Sequence, residues 1–531
     1  MECTVFEAAD LIRKRVVSPV ELTRSVLERI TDLNPTIRAF ITVTPEHALA
    51  QATSAERELM LGRVRGPLHG VPFALKDIID TAGIPTTGHS KVGMHRVPSA
   101  DAILVRRLYD AGAILVGKLA TFEYAHGGHS EHTPWPEPRN PWHLDYATGG
   151  SSSGSAAAVA SRMVPFAIGT DTGGSIRIPA GATGIAGFKP TYGLINRTGV
   201  MTNSFTFDHC GPMARTAEDC ALVLQALTGH NEPHPDSAHS SGLDLSQDLR
   251  GLRVGLVRHF WEDDLQLDCA AVAAVESAVE VLVKCGASVE TARMAPLREY
   301  NDVKWVIGES EIFAVHVEQL QARMTEYGSA FLSKTLAGSL FDAVDYICAQ
   351  RERRRLLDQM KHLYERYDVL LTAGGNPARL RGEYRVLNAW KVSSIYTPFS
   401  VTGAPAISVC AGFTTEGLPL SIQIAGRPFE DWRVLRVAHA YEKATGWYKR
   451  TPPADTLPTS LVVPSTTNEE VGETSSSVQQ LVRHSLERAG LQMDEVLFRQ
   501  LCAVAPFAFA MGERIRRSHH RGVDPALFPF D

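Results

Sequence analysis

The sequence predicts an α/β fold with parallel or mixed strand pairing, and three observations carry that expectation. Apolar strand-like segments alternate with amphipathic helical ones through the first part of the chain. The composition, 44% apolar and 21% charged over 531 residues, is that of an ordinary soluble globular protein. Residues 149–190 join two glycine-rich turns, each ending on hydroxyls, through one short apolar segment.

Taken in order, residues 5–15 and 18–31 read as amphipathic helices, the second opened by the capping box Ser18-Pro19-Val20-Glu21. An extended piece, 38–43, precedes a helix over 46–61, and Arg65-Gly66-Pro67 turns the chain into the strand-like GVPFALKD. There Val71, Phe73 and Leu75 alternate before the polar tip at Lys76. A helix carrying Leu104, Leu108 and Ala111 and a strand AILVGK fill 101–118. Residues 155–162 read as a short alanine-rich helix and 164–168 as a buried strand, with Ser175 in the loop beyond it.

Further on, Thr216 caps a helix to about Leu227, and a polar loop, HNEPHPDSAHSSG, leads to a strand over 252–257 and a helix over 269–285. Residues 297–345 carry helical pattern with Trp305, Phe313 and Phe331. The basic run 351–355 reads as the solvated face of a helix that buries Leu356, Leu357 and Met360. A strand over 367–372 ends in the glycine-rich AGGNPA. Residues 453–476 shift to Thr, Pro, Ser and Glu, a linker composition, before two helical patterns, 477–489 and 493–517, parted by Gly490. The tail is expected to cover apolar surface or build a dimer contact.

A net charge of −6 offers no basic footprint for nucleic acid and no polybasic membrane anchor. Eight scattered cysteines without a C-x-x-C pair argue for reduced thiols in a cytoplasmic protein. No apolar run is expected to reach membrane-spanning length, and the N-terminus lacks the apolar core of a signal peptide.

The chemistry is sought in the glycine-rich stretch, because glycine pairs leave main-chain N–H groups open to a reacting group. Ser151, Ser152 and Ser153 fall at a helix N-terminus, where unpaired N–H groups favour a polar or negative neighbour. No histidine lies nearby to act as base for a serine. A desolvated lysine can do so, since burial disfavours its charged form, and Lys76 is the candidate. A lone lysine after a strand is far more often a solvated surface charge, and the residues alone do not lift Lys76 above that. The string GSSSG also fits a nucleophile elbow that would use Ser152 in an esterase-like α/β-hydrolase. That reading lacks a preceding strand, since 141–148 is polar and turn-like. His129-Ser130-Glu131 lacks the cysteine partner of a zinc deaminase, and His126, His129 and His132 share one loop without a spaced fourth ligand, so no metal is implied.

At these residues the chain resembles the amidase signature family of serine hydrolases. The matching segments are GVPFALKD (70–77), GGSSSGSAAAVA (149–160), GTDTGGSIRIPA (169–180), GFKPTYG (187–193), DHCGPMARTAEDCALVLQAL (208–227), TPFSVTGAPAISV (397–409) and GLPLSIQIAGRPFEDWRVL (417–435). The resemblance implies a central mixed sheet flanked by helices, a catalytic domain over 1–452 and a small helical C-terminal extension over 477–531. It implies Ser175 as nucleophile, Lys76 as base and Ser151 as a bridging serine after a cis peptide bond; the 24-residue interval between the serines agrees. The N–H groups of Thr172, Gly173, Gly174 and Ser175 would form the oxyanion hole, with Ser152, Asp171 and Arg177 in support. The expected reaction is hydrolysis of a small-molecule amide without metal or cofactor, with homodimers common among relatives. The alternative is an amidotransferase A-type subunit that releases ammonia from glutamine for a partner complex. Where such subunits read SIRQP this chain reads SIRIP, and Ile178 favours the stand-alone enzyme. The tail is weakly similar to small helical companions of such subunits.

Overall fold

Continuously apolar segments such as Phe73-Ala74-Leu75 and Phe166-Ala167-Ile168 can satisfy their backbone and hide both faces only inside a helix-covered sheet. In the computed structural model, which describes residues 3–130, 132–228, 245, 248–382, 386–453 and 474–517, they do so. The strands are β1 (Phe40–Val43), β2 (Pro72–Lys76), β3 (Ile114–Leu119), β4 (Phe166–Asp171), β5 (Ala186–Lys189), β6 (His209–Ala214), β7 (Arg253–Leu256), β8 (Ser288–Thr291), β9 (Val369–Ala373), β10 (Ala406–Phe413) and β11 (Pro419–Gly426). They form one eleven-stranded mixed sheet in the order β1-β3-β2-β4-β6-β5-β10-β11-β9-β7-β8.

The register positions the site. β2 and β4 run parallel, with Phe73 opposite Phe166 and Leu75 opposite Ile168. Both strands therefore end at the same edge, Lys76 on one and Thr170-Asp171 on the other. Ligand sites of such sheets lie beyond the carboxyl ends of the strands. The helix Ser153–Ala160 fits beneath this edge because its residues are small. A Cβ on Gly154 would lie 2.6 Å from both the Ala120 nitrogen and the Ala39 oxygen.

The Ser18 capping box is present, with Glu21 N–H donating to Ser18 Oγ at 3.1 Å and Ser18 N–H to Glu21 Oε2 at 2.8 Å. Its helix runs past the expected end to Ile37, with Pro35 in the last turn, and stops at Arg38 in the left-handed region (φ 61°). The strand expected over 164–168 starts later, at Phe166, and runs to Asp171, and a short helix, Arg177–Thr183, follows it unannounced. The basic run is corrected more sharply. Arg353 is buried with its Nε–H donated to the Val401 carbonyl at 2.8 Å and its guanidinium over Phe207. Arg355 pairs with Glu352 and Glu299, so this face of the helix Ala343–Arg366 is packed, not solvated.

The expected 230–242 loop and nearly all of the expected linker lie outside the described residues. The tail patterns are the helices Ser476–Arg488 and Glu495–Arg517. Glu495–Arg517 packs on the helices Leu297–Arg323 and Ala343–Arg366 through residues such as Phe498, Leu501, Ala505 and Met511, and Ser476–Arg488 packs on Glu495–Arg517. Arg514 grips Asp302 with two hydrogen bonds of 2.6 Å. Contrary to the sequence expectation, Glu495–Arg517 is long and apolar enough, by length and composition, to cross a membrane. Its apolar face is in contact with the protein.

Candidate active site

A lysine at the end of a strand buried on both faces has nowhere to send its charge. Lys76 is wholly buried, and its Nζ lies 2.7 Å from Ser151 Oγ and 2.8 Å from Thr170 Oγ1. Burial lowers its pKa to about 7, with Asp208 and Asp171 pulling it back up. The peptide bond Gly150–Ser151 is cis. A Cβ on Gly150 would stand 2.2 Å from the Phe122 ring. The turn can therefore take this path only without a side chain.

Ser151 and Ser175 lie on adjoining turns, tied by the Ser152 N–H donated to the Ser175 carbonyl at 3.2 Å. Ser152 itself is committed elsewhere. Its hydroxyl donates to the Thr170 carbonyl at 3.1 Å and accepts the Thr170 N–H at 3.2 Å.

The loop from Thr172 to Ser175 is held from beneath. Asp171 accepts the Gly174 N–H at 2.8 Å and the Ile176 N–H at 3.2 Å, and meets Arg177 through Nε and Nη2, each at 2.9 Å. Arg177 also donates to the Tyr396 carbonyl at 3.0 Å and to Ser400 Oγ at 2.7 Å. Burial pushes the Asp171 carboxyl up, but the Arg177 guanidinium outweighs it and holds the acid well below the usual carboxylate range. Thr172 is fixed through its hydroxyl, donated to Asp208 at 2.6 Å. The N–H groups of Thr172, Gly173 and Ser175 donate to no acceptor among the described residues. Gly174 differs from the expectation, since its N–H is already given to Asp171. Ile178 packs over the glycine turns: a Cβ on Gly174 would meet its Cδ1 at 2.7 Å and one on Gly149 its Cγ2 at 3.1 Å.

Of the three loop histidines, His126 leaves the others and reaches Glu309 Oε2 at 2.9 Å, while His129 packs edge-on against Phe122, 4.7 Å between centroids. Among the described residues no group of three or more His, Cys, Asp or Glu is placed to hold a metal ion. A cavity of about 420 Å³ opens beside Lys76, bounded by Thr170, Asp208, Cys210, Asn203 and Arg197. Sequence reasoning missed Thr170 and Asp208. The signal for Thr170 was its place near the carboxyl end of β4, which runs parallel to β2 and ends at the same edge as Lys76.

The family model described as Amidase matches residues 21–435. The A-type subunit of glutamyl-tRNA(Gln) amidotransferase from Geobacter metallireducens is 36% identical over 486 residues, spanning 84% of this chain and 98% of the relative. Among solved structures, the native peptide amidase of Stenotrophomonas maltophilia superposes with a TM-score of 0.74 at 30% identity, covering 86% of this chain and 99% of its own. A chain of an inhibitor-bound vestigial complex, from which the origins of an s-triazine catabolic enzyme were traced, gives a TM-score of 0.76 at 30% identity, over 84% and 99%.

Proposed function

The chain belongs to the amidase signature family, and from that membership we propose that it cleaves a carboxamide C–N bond through an acyl-enzyme on Ser175. The observation that carries the reading is the 2.7 Å contact between the buried Lys76 nitrogen and Ser151 Oγ. A buried amine whose pKa is near 7 is in large part uncharged at neutral pH and can accept a proton. Ser175 Oγ attacks the carbonyl carbon as its proton passes to Ser151 and the Ser151 proton passes to Lys76. The free N–H groups of Thr172, Gly173 and Ser175 take the developing oxyanion, each such donor being worth about 3–4 kcal/mol. Lys76 then returns the proton through Ser151 to the leaving nitrogen, the C–N bond breaks, and ammonia or an amine departs. Water repeats the attack on the ester, and the acid leaves with Ser175 restored. We assign this chemistry to 1–452 and treat 477–531 as an appended helical extension.

A second reading, an amidotransferase component that releases ammonia from glutamine for a partner, draws on the relatives' names, the Geobacter metallireducens protein among them. Those names weigh toward the second reading; Ile178 in place of the glutamine of such proteins weighs toward the first. The cleavage step is common to both. The test is hydrolysis of a carboxamide panel, glutamine included, by wild type and Ser175→Ala, with mass spectrometry for an acyl adduct on the 169–180 peptide. Activity kept in Ser175→Ala would remove Ser175 as nucleophile. Copurification of an ATP-dependent partner, with turnover only in its presence, would select the second reading.

A further inference from the structure

Two lysines share one tryptophan, one of them against the serine loop, and neither has a part in that chemistry. Lys304 lies on the helix Leu297–Arg323 and Lys334 on the helix Ser329–Thr335. Both ammonium groups sit over the Trp305 indole, 4.4 and 4.5 Å from its ring centroid. Trp305 is itself stacked on Trp390 at 4.2 Å, which fixes the platform. One carboxylate serves the pair: Glu309 Oε1 is 3.4 Å from Lys304 Nζ, and its other oxygen faces His126. Lys334 donates to no hydrogen-bond acceptor among the described residues.

Burial lowers the His126 pKa and so keeps its ring neutral, although Glu309 opposes this. Burial likewise lowers the pKa of Lys304 and Lys334, with Glu309 opposing it, so two positive charges, each disfavoured by burial, share one carboxylate at a half-buried site. Burying such a charge is costly unless it meets an anion. The position matters as much as the charge. A Cβ on Gly173 would lie 3.3 Å from Lys304 Cε, so the lysine stem rests against the loop that carries Ser175 two residues on.

We propose that Lys304 and Lys334 form a subsite for a carboxylate carried by the substrate, a few methylenes away from the amide that is cleaved. Two lysines that already share one carboxylate suit one further negative charge, a monoanion, better than a phosphate dianion. The inference rests on the amide-cleaving reading above and narrows its substrate class to amides that bear an acid group.

The experiment compares glutaramic and adipamic acids with pentanamide and hexanamide, matched in chain length. Wild type is expected to show kcat/KM about 10- to 100-fold higher for the acid amides, the range of a charge-assisted hydrogen bond. In Lys334→Met that acid-to-neutral ratio falls toward one, and Lys334→Arg restores most of it. A wild-type ratio of one or below, or a ratio untouched by Lys334→Met, overturns the proposal. Calorimetric titration of glutaramate into Ser175→Ala reads the same subsite without turnover, and adding Lys334→Met is expected to weaken binding at least about tenfold. Neutral amides hydrolysed with no gain from the carboxylate would sink the subsite and leave the amidase reading intact. Glutaramate bound through Lys334 with no amide cleaved would do the reverse.

Discussion

Replacing Arg177 by methionine removes the cation that holds Asp171 beneath the serine loop. The side chain is fully buried and its guanidinium binds both Asp171 oxygens at 2.9 Å, besides the Tyr396 carbonyl and Ser400. Methionine fills much of the stem volume and donates nothing, so the carboxylate keeps main-chain N–H groups, chiefly those of Gly174 and Ile176, and the Ser400 hydroxyl, but loses the cation in contact with it. Leaving one member of a buried pair uncompensated costs about 3–5 kcal/mol. The pH dependence has a definite sign. In wild type the folded-state pKa of Asp171 is depressed, so the pair stabilises at neutral pH and is lost only as pH falls through that depressed value. Without Arg177, burial is opposed only by the weaker influence of Lys189 and His209 and by the remaining hydrogen bonds, and the folded-state pKa is expected to rise above the unfolded one. The variant then loses stability above the unfolded value and regains part of it in acid. The deficit should be greatest at neutral pH and shrink as pH falls towards the ordinary carboxylate range. Urea midpoints for wild type, Arg177→Met, Asp171→Asn and the double variant, each at neutral and mildly acidic pH, give both the loss and the coupling, expected at about 2 kcal/mol or more. A loss under about 1 kcal/mol, an additive cycle or a pH-independent deficit would refute the reasoning.

Two further outcomes follow from the same site. Because Lys76 must be uncharged to take a proton, and burial brings its pKa to about 7, kcat/KM should climb with pH through that value and level off above it. A rate that falls between mildly acid and mildly alkaline pH would count against Lys76 as base. Gly154→Ala should cost about 1–3 kcal/mol by overpacking, since its Cβ would meet main-chain atoms of Ala120 and Ala39 at 2.6 Å. An unchanged urea midpoint would show that the helix can slide away from β3.

Local signals were legible wherever the physics is local. The Ser18 capping box formed because both of its hydrogen bonds join residues three apart, and the alanine-rich run became a helix because nothing in it opposes one. That capped helix runs past its expected end at 31 and takes Pro35 into its last turn before Arg38 closes it. The basic run 351–355 was misread for a non-local reason. Its partners, Val401, Glu299 and Phe207, come from remote parts of the chain, and packing decides which side of the helix they cover.

The site divides along the same line. The order of residue types around two glycine turns pointed to the serines and made Lys76 a candidate base, while the separate roles of Lys76, Ser151 and Ser175 came from the resemblance to the amidase signature family. Whether that lysine is a charged surface group or a buried amine depends on β2 lying between β3 and β4 under helices, and desolvation exists only once those layers close. The Lys304–Lys334 pair is wholly a product of folding. Two lysines thirty residues apart acquire a shared aromatic platform and a shared carboxylate, and Lys304 a place beside Gly173, only when their two helices pack together beside the serine loop.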